Sequence, residues 1–245
     1  MSNKSLVVKK NKFLAKMKKG QVQQAAKKSA TNLDALRQAA SQVGKKRLLF
    51  SLDATASRES AWEVATQITM GMFEAVPDKI EVAFGYHGGG LVQQVTDFSQ
   101  SPKVFLDKLL SIQCDAGHTQ LNGLLKEALN LEQLRAVVYI GDCFEESSTK
   151  AYELAKQLKL KGIKMFIFHD KTSGGMGYDM KQAARVFAGI VDITGGAVMD
   201  FNEQSIQQSK DFLRAIALYS VGGRKLLEQK KASEKGAVLL LEQLK

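Results

Sequence analysis

The stretch "LLFSLDATASRESAW", Leu48 to Trp62, decides the fold. An apolar run ends at Asp53, Thr55 and Ser57 follow at alternate positions, and a helical pattern begins at once. A short apolar run with this boundary reads as a buried strand. In an open α/β sheet, binding groups collect where strands end. The carboxylate and two hydroxyls therefore stand where a site is expected.

Outward from this stretch the chain alternates. Trp62, Ala65, Ile68, Thr69, Met72, Phe73 and Val76 recur at three and four, which predicts a helix over 59–75. "IEVAFGY" (80–86) predicts a second strand, "HGGG" (87–90) a turn, and "LVQQV" (91–95) a short antiparallel edge strand. Helices are expected near 102–112 and 120–131. "RAVVYIGD" (135–142) is a buried strand that again ends in Asp. A helix over 146–160, a strand "IKMFIFHD" (163–170) and a loop "KTSGGMGYD" (171–179) follow. Then come a helix over 180–193, a "TGG" break, a strand "AVMDF" (197–201) and a helix over 203–220. The fold class is α/β: a doubly wound, mostly parallel sheet with helices on both faces and one antiparallel edge strand.

The net charge of +10 over 245 residues is unevenly placed. Residues 1–33 hold nine lysines and no acid, leaving 26 basic and 25 acidic residues elsewhere. Three segments result: a basic arm (1–33), a domain (45–221) and a charged helical tail (222–245). Lys9, Lys10, Lys12, Lys16, Lys18 and Lys19 make the arm a candidate anion-binding segment. Phe13 is its one aromatic ring, so base stacking has little support. Two cysteines without CxxC spacing exclude a disulfide framework and point to a reducing compartment, the cytoplasm. No stretch approaches 18 apolar residues, and no apolar segment follows the basic N-terminus as in a signal peptide.

Asp53, Thr55 and Ser57 leave the first strand on one loop, and a curled loop turns all three toward one point. Thr119 in "CDAGHTQ" (114–120) adds a hydroxyl just before a helix, and Asp142 adds a second carboxylate. Two carboxylates and three hydroxyls are hard oxygen donors suited to Mg²⁺ or Mn²⁺. The shell is weakly charged, so such an ion stays electrophilic.

Asp53-Ala-Thr55-Ala-Ser57, Thr119 in "AGHTQL", Asp142 in "VVYIGD" and "TGGAV" before the last strand resemble the von Willebrand factor A domain over about residues 46–220. Its metal-ion-dependent adhesion site reads D-x-S-x-S, then a separate Thr and a separate Asp. Thr55 departs from the usual Ser. The resemblance implies a divalent cation on Asp53, Thr55, Ser57, Thr119 and Asp142, with a carboxylate from a protein partner completing its coordination. The longer wording is similar to a bacterial, stand-alone, intracellular branch. A binding module rather than an enzyme is expected, since no general base is placed against a nucleophile.

Two other readings stay open. A haloacid-dehalogenase-like, Mg²⁺-dependent phosphotransferase would use Asp53 as nucleophile, Thr55 and Lys126 on phosphate, and Asp142 with Glu145 or Glu146 on the ion ("GDCFEE"). Against it, Thr119 follows polar "CDAGH", and about 100 residues of regular pattern follow the acidic motif. A non-specific nucleic-acid binder would use the arm alone. His118, Glu145 and Glu146 are candidate partner contacts. Their plainer readings are a loop histidine and acids complementing a helix start. His87 and His169 stand at strand ends without a partner visible in the sequence. Cys143 reads as a small apolar residue facing away from the site, and Trp62 as core.

Overall fold

The computed structural model describes residues 46–56, 68–69, 72–76, 79–171, 180–202 and 205–245. The arm lysines, Ser57, Trp62 and residues 172–179 lie outside the described residues.

Six strands form one sheet: β1 (Lys46–Asp53), β2 (Ile80–Gly88), β3 (Leu91–Val95), β4 (Leu134–Gly141), β5 (Lys164–Asp170) and β6 (Ala197–Phe201). Their order is β3-β2-β1-β4-β5-β6. All neighbours run parallel except β3, which is antiparallel to β2. The helices are α1 (Pro102–Ser111), α2 (Leu121–Asn130), α3 (Ser148–Leu160), α4 (Met180–Thr194), α5 (Ile206–Lys230) and α6 (Lys235–Gln243). Residues 68–69 and 72–75 are helical as well.

Strand periodicity splits the core into two layers. Leu48, Phe50 and Leu52 face Met72, Phe105, Leu109, Phe212 and Ile216 on one side. Leu49, Val137 and Ile167 face Leu124, Leu154 and Phe187 on the other. Because β1 and β4 are covered on both faces, their runs are apolar almost throughout.

Local chemistry sets the element ends. Ser101 caps α1, accepting from Val104 N, with Pro102 in the first turn. Ser147 caps α3 in the same way. The helix therefore begins at Ser148, two residues later than the acidic start "EE" predicts. Gly195, at φ 69°, provides the left-handed residue of the "TGG" break. The helix expected over 203–220 continues to Lys230, interrupted at Gly223 (φ 65°, ψ −163°). The tail residues join the first core layer through Leu227, Ala237, Leu240 and Leu244. Gly236 lets α6 approach the backbone at Asp211 closer than any Cβ allows. The outer edge of β6 is partly closed by Gln243, whose Oε1 accepts from Val198 N at 3.2 Å. Among the described residues, no helix is long and apolar enough to cross a membrane.

Candidate metal centre

From β1 the chain winds one way through β2 and β3 and the other way through β4, β5 and β6. The reversal lies between β1 and β4, and in such sheets the crevice opens at the carboxyl ends of those two strands. Leu52 pairs with Ile140 there, so Asp53 and Asp142 leave the sheet on neighbouring strands.

Asp53 is buried and turns the chain: its Oδ1 accepts from Thr55 N at 2.9 Å. Thr55 is buried behind it. The loop between α1 and α2 is tied to the same strand end. Ala54 N donates to His87 O (2.8 Å), Asp115 N to Ala54 O (3.0 Å) and Gly89 N to Asp115 O (3.3 Å). A side chain at Gly117 would collide with the backbone of Gly89 and Gly90, so a residue without Cβ seats this loop against the β2–β3 turn.

The loop thus delivers Thr119, which is buried. Thr119 Oγ1 accepts from Glu145 N at 2.9 Å, and Thr119 N donates to Glu145 Oε2 at 3.2 Å. His118 is largely exposed beside it, with Nδ1 3.3 Å from Glu145 Oε1. Glu146 reaches the start of α2: Asn122 N donates to its two carboxylate oxygens at 3.2 and 3.0 Å. Helix α2 has no side-chain cap of its own. Both acids therefore serve the 118–122 segment rather than α3, the helix they precede. Burial pushes the Glu146 carboxyl up, opposed by the hydrogen bonds from Asn122 and Leu121.

Asp142 is fully buried. Its Oδ1 accepts from the Cys143 thiol at 3.1 Å, and its Oδ2 has no hydrogen-bond partner. A buried carboxylate oxygen without a donor is costly, and it calls for a partner. The Cys143 thiol is pushed far up by burial, then by Asp142 and its hydrogen bond to it, with Asp53 and Glu145 adding to the effect. The thiol therefore faces the acidic strand ends rather than away from them. It is kept protonated and a poor nucleophile.

The register adds residues whose roles spacing does not reveal. His87 lies opposite Asp53 in the β1–β2 pairing and is fully buried. Its pKa is lowered to about 4 by burial, against an upward pull from Asp142. His169 is buried at the end of β5, and burial lowers its pKa too. Its Nε2 meets Asp142 O at 3.2 Å. Strand-end position was the only signal the sequence held for either ring. Among the described residues, no group of three or more His, Cys, Asp or Glu side chains is arranged to hold a metal. A zinc site closed by nitrogen and sulfur is thus not built there.

No family model matches the chain, and no curated relative is found. Solved structures match its fold. The SpRpn10 von Willebrand factor A domain matches with TM-score 0.53 and 12% identity, over 68% of this chain and 94% of that one. A von Willebrand factor type A protein from Catenulispora acidiphila gives 0.55 and 13%, over 73% and 43%. Proximal thread matrix protein 1 from the mussel byssus, solved with a zinc-occupied metal-ion-dependent adhesion site, gives 0.54 and 14%, over 70% and 45%. The chain spans nearly all of the first domain and under half of the other two proteins. Its fold is that of the von Willebrand factor A domain, a Rossmann-like doubly wound sheet.

Proposed function

We propose that the chain is a cation-dependent protein-binding module. Asp53, Thr55, Thr119 and Asp142, with Ser57, which lies outside the described residues, would hold one divalent cation. The observation that carries this is the fully buried Asp142 Oδ2 without a hydrogen-bond partner, at the switch point beside Asp53. All five donors are oxygens, which fit Mg²⁺ or Mn²⁺ better than a soft metal. A structure of this fold from the mussel byssus, solved with a zinc-occupied metal-ion-dependent adhesion site, supports a divalent ion here. When bound, the cation supplies an electrophilic point for an Asp or Glu carboxylate of a protein partner.

This chain's own residues prepare the place. Thr55 N fixes the Asp53 carboxylate, and the Thr119–Glu145 pair fixes the loop hydroxyl. His118 stands exposed at the rim, within reach of an arriving acidic side chain. Binding is favoured over catalysis because the Cys143 thiol is held protonated and Thr119 Oγ1 accepts from a backbone N–H rather than facing a base. Two cysteines without CxxC spacing fit a reducing compartment such as the cytoplasm.

Titration of the full chain with Mg²⁺ and Mn²⁺ tests the site. Uptake of one ion, lost in Asp142→Ala, is expected; equal uptake by the variant contradicts it. A pull-down in Mg²⁺ repeated in EDTA tests the partner, which chelation should release.

A further inference from the structure

Beneath the two acidic strand ends lies a buried ring layer. His87 Nε2 is 3.1 Å from Tyr139 Oη, and the two rings lie nearly parallel, 22° apart. Tyr139 stands edge-on to Phe187, and Phe187 edge-on to His169 at 5.0 Å between centroids. The ring atoms that point outward from this layer meet the site. His87 Nδ1 has no hydrogen-bond partner and lies 3.8 Å from Asp53 Oδ1. His169 Nε2 meets the Asp142 carbonyl oxygen.

Each contact constrains a proton. A carbonyl oxygen only accepts, so His169 Nε2 must carry hydrogen. A lone pair on His87 Nδ1 facing the Asp53 carboxylate would be repelled, whereas an N–H there is attracted. With Nδ1 protonated in a neutral ring, Nε2 is the acceptor, and the Tyr139 hydroxyl is the donor. At about pH 7.5 an imidazole of ordinary pKa is already mostly neutral, so each ring carries one proton.

We infer that His87 and His169 are positioning residues for the acidic strand ends, held in opposite tautomers. His87 points Nδ1–H at Asp53, backed by the Tyr139 hydroxyl, and His169 gives Nε2–H to the Asp142 carbonyl. The inference rests on the reading of Asp53 and Asp142 as cation ligands. The nitrogens that face Asp53 and Asp142 both carry hydrogen, so both rings act through the aspartates. Partners of this outer kind change metal affinity by about 10- to 100-fold.

The test has two arms, both on the full chain. Long-range ¹H–¹⁵N spectra in EDTA at about pH 7.5 read the tautomer of each neutral ring directly. Three histidines give three ring systems, assigned by single substitution. His87 protonated at Nδ1 and His169 at Nε2 is the expected result. A His87 proton on Nε2 overturns the inference. The second arm is Mg²⁺ titration of wild type, His87→Leu and His87→Asn. His87→Leu should weaken Mg²⁺ binding by about tenfold or more, while His87→Asn, which restores an N–H near Asp53, stays within about threefold of wild type. Unchanged affinity in His87→Leu overturns the inference. If His87→Leu does not fold, the spectra and His87→Asn decide. If wild type takes up no Mg²⁺, the cation reading fails, and the spectra still decide the ring arrangement.

Discussion

Thr119 and Glu145 hold each other across 26 residues of sequence. The backbone N–H of Glu145 donates to the Thr119 hydroxyl, and the Thr119 N–H donates to the Glu145 carboxylate. The loop that bears the hydroxyl is thereby fixed to the segment that bears Asp142.

Glu145→Ala removes one of these two bonds and leaves the other. We expect a stability loss of about 1 kcal/mol, or roughly 2–4 °C in Tm, with weaker Mg²⁺ binding. Glu145→Gln keeps an acceptor for Thr119 N and should retain most of both. Thermal melts and Mg²⁺ titration check this, and equal losses in the two variants would show that the charge, not the bond, matters.

Thr119→Val keeps the shape and removes the acceptor of Glu145 N. A part-buried N–H left unmet costs about 1–3 kcal/mol. The Mg²⁺ response should be reduced but not abolished, because water can replace one neutral ligand. A full response in this variant would remove Thr119 from the site.

The buried histidines predict acid sensitivity. His87 titrates near 4 in the folded chain and near 6.5 unfolded, so the unfolded state binds the extra proton first. Stability is intact above about pH 6.5, falls as pH drops through the window, and levels off below about pH 4, costing on the order of 3 kcal/mol. His169, also lowered, acts with the same sign. Denaturant melts in EDTA between about pH 7 and 4 should show the fall, and His87→Asn should flatten much of it. A wild-type profile without that fall would contradict the buried, neutral ring.

The arm should be dispensable for folding. The described residues from Leu48 onward supply two core layers of their own. A chain starting at Asn32 is expected to melt cooperatively with the same helical content. Aggregation and a broad transition would show that the arm contributes packing.

Much of this architecture was legible because strand and helix periods differ so plainly. "AVMDF" is β6 to the residue, and "LVQQV" is the antiparallel edge. Helix ends were less legible because capping competes with charge. Glu145 and Glu146 look like the start of α3, yet their carboxylates go to the 118–122 segment and Ser147 supplies the cap. The tail's packing depends on Gly236, whose role is a tertiary contact that spacing does not encode. In the site, Asp53 and Asp142 were marked by strand ends. His87 opposite Asp53 is a consequence of register, which the sequence leaves unstated. Ser57 lies outside the described residues, so its place in the shell rests on the motif alone.

One comparison tests the central claim most directly: melting wild type and Asp53→Ala in EDTA and in Mg²⁺. An ion that binds the folded site and scarcely binds the unfolded chain adds about 1.4 kcal/mol at ten times its Kd. For a domain of this size that is an upward shift of about 3–6 °C. Asp53→Ala removes a ligand and a charge that repels Asp142, but also the acceptor of Thr55 N, so it should melt within a few degrees of metal-free wild type and ignore Mg²⁺. No shift in wild type at saturating Mg²⁺ or Mn²⁺, or an equal shift in Asp53→Ala, would contradict a cation held at the ends of β1 and β4.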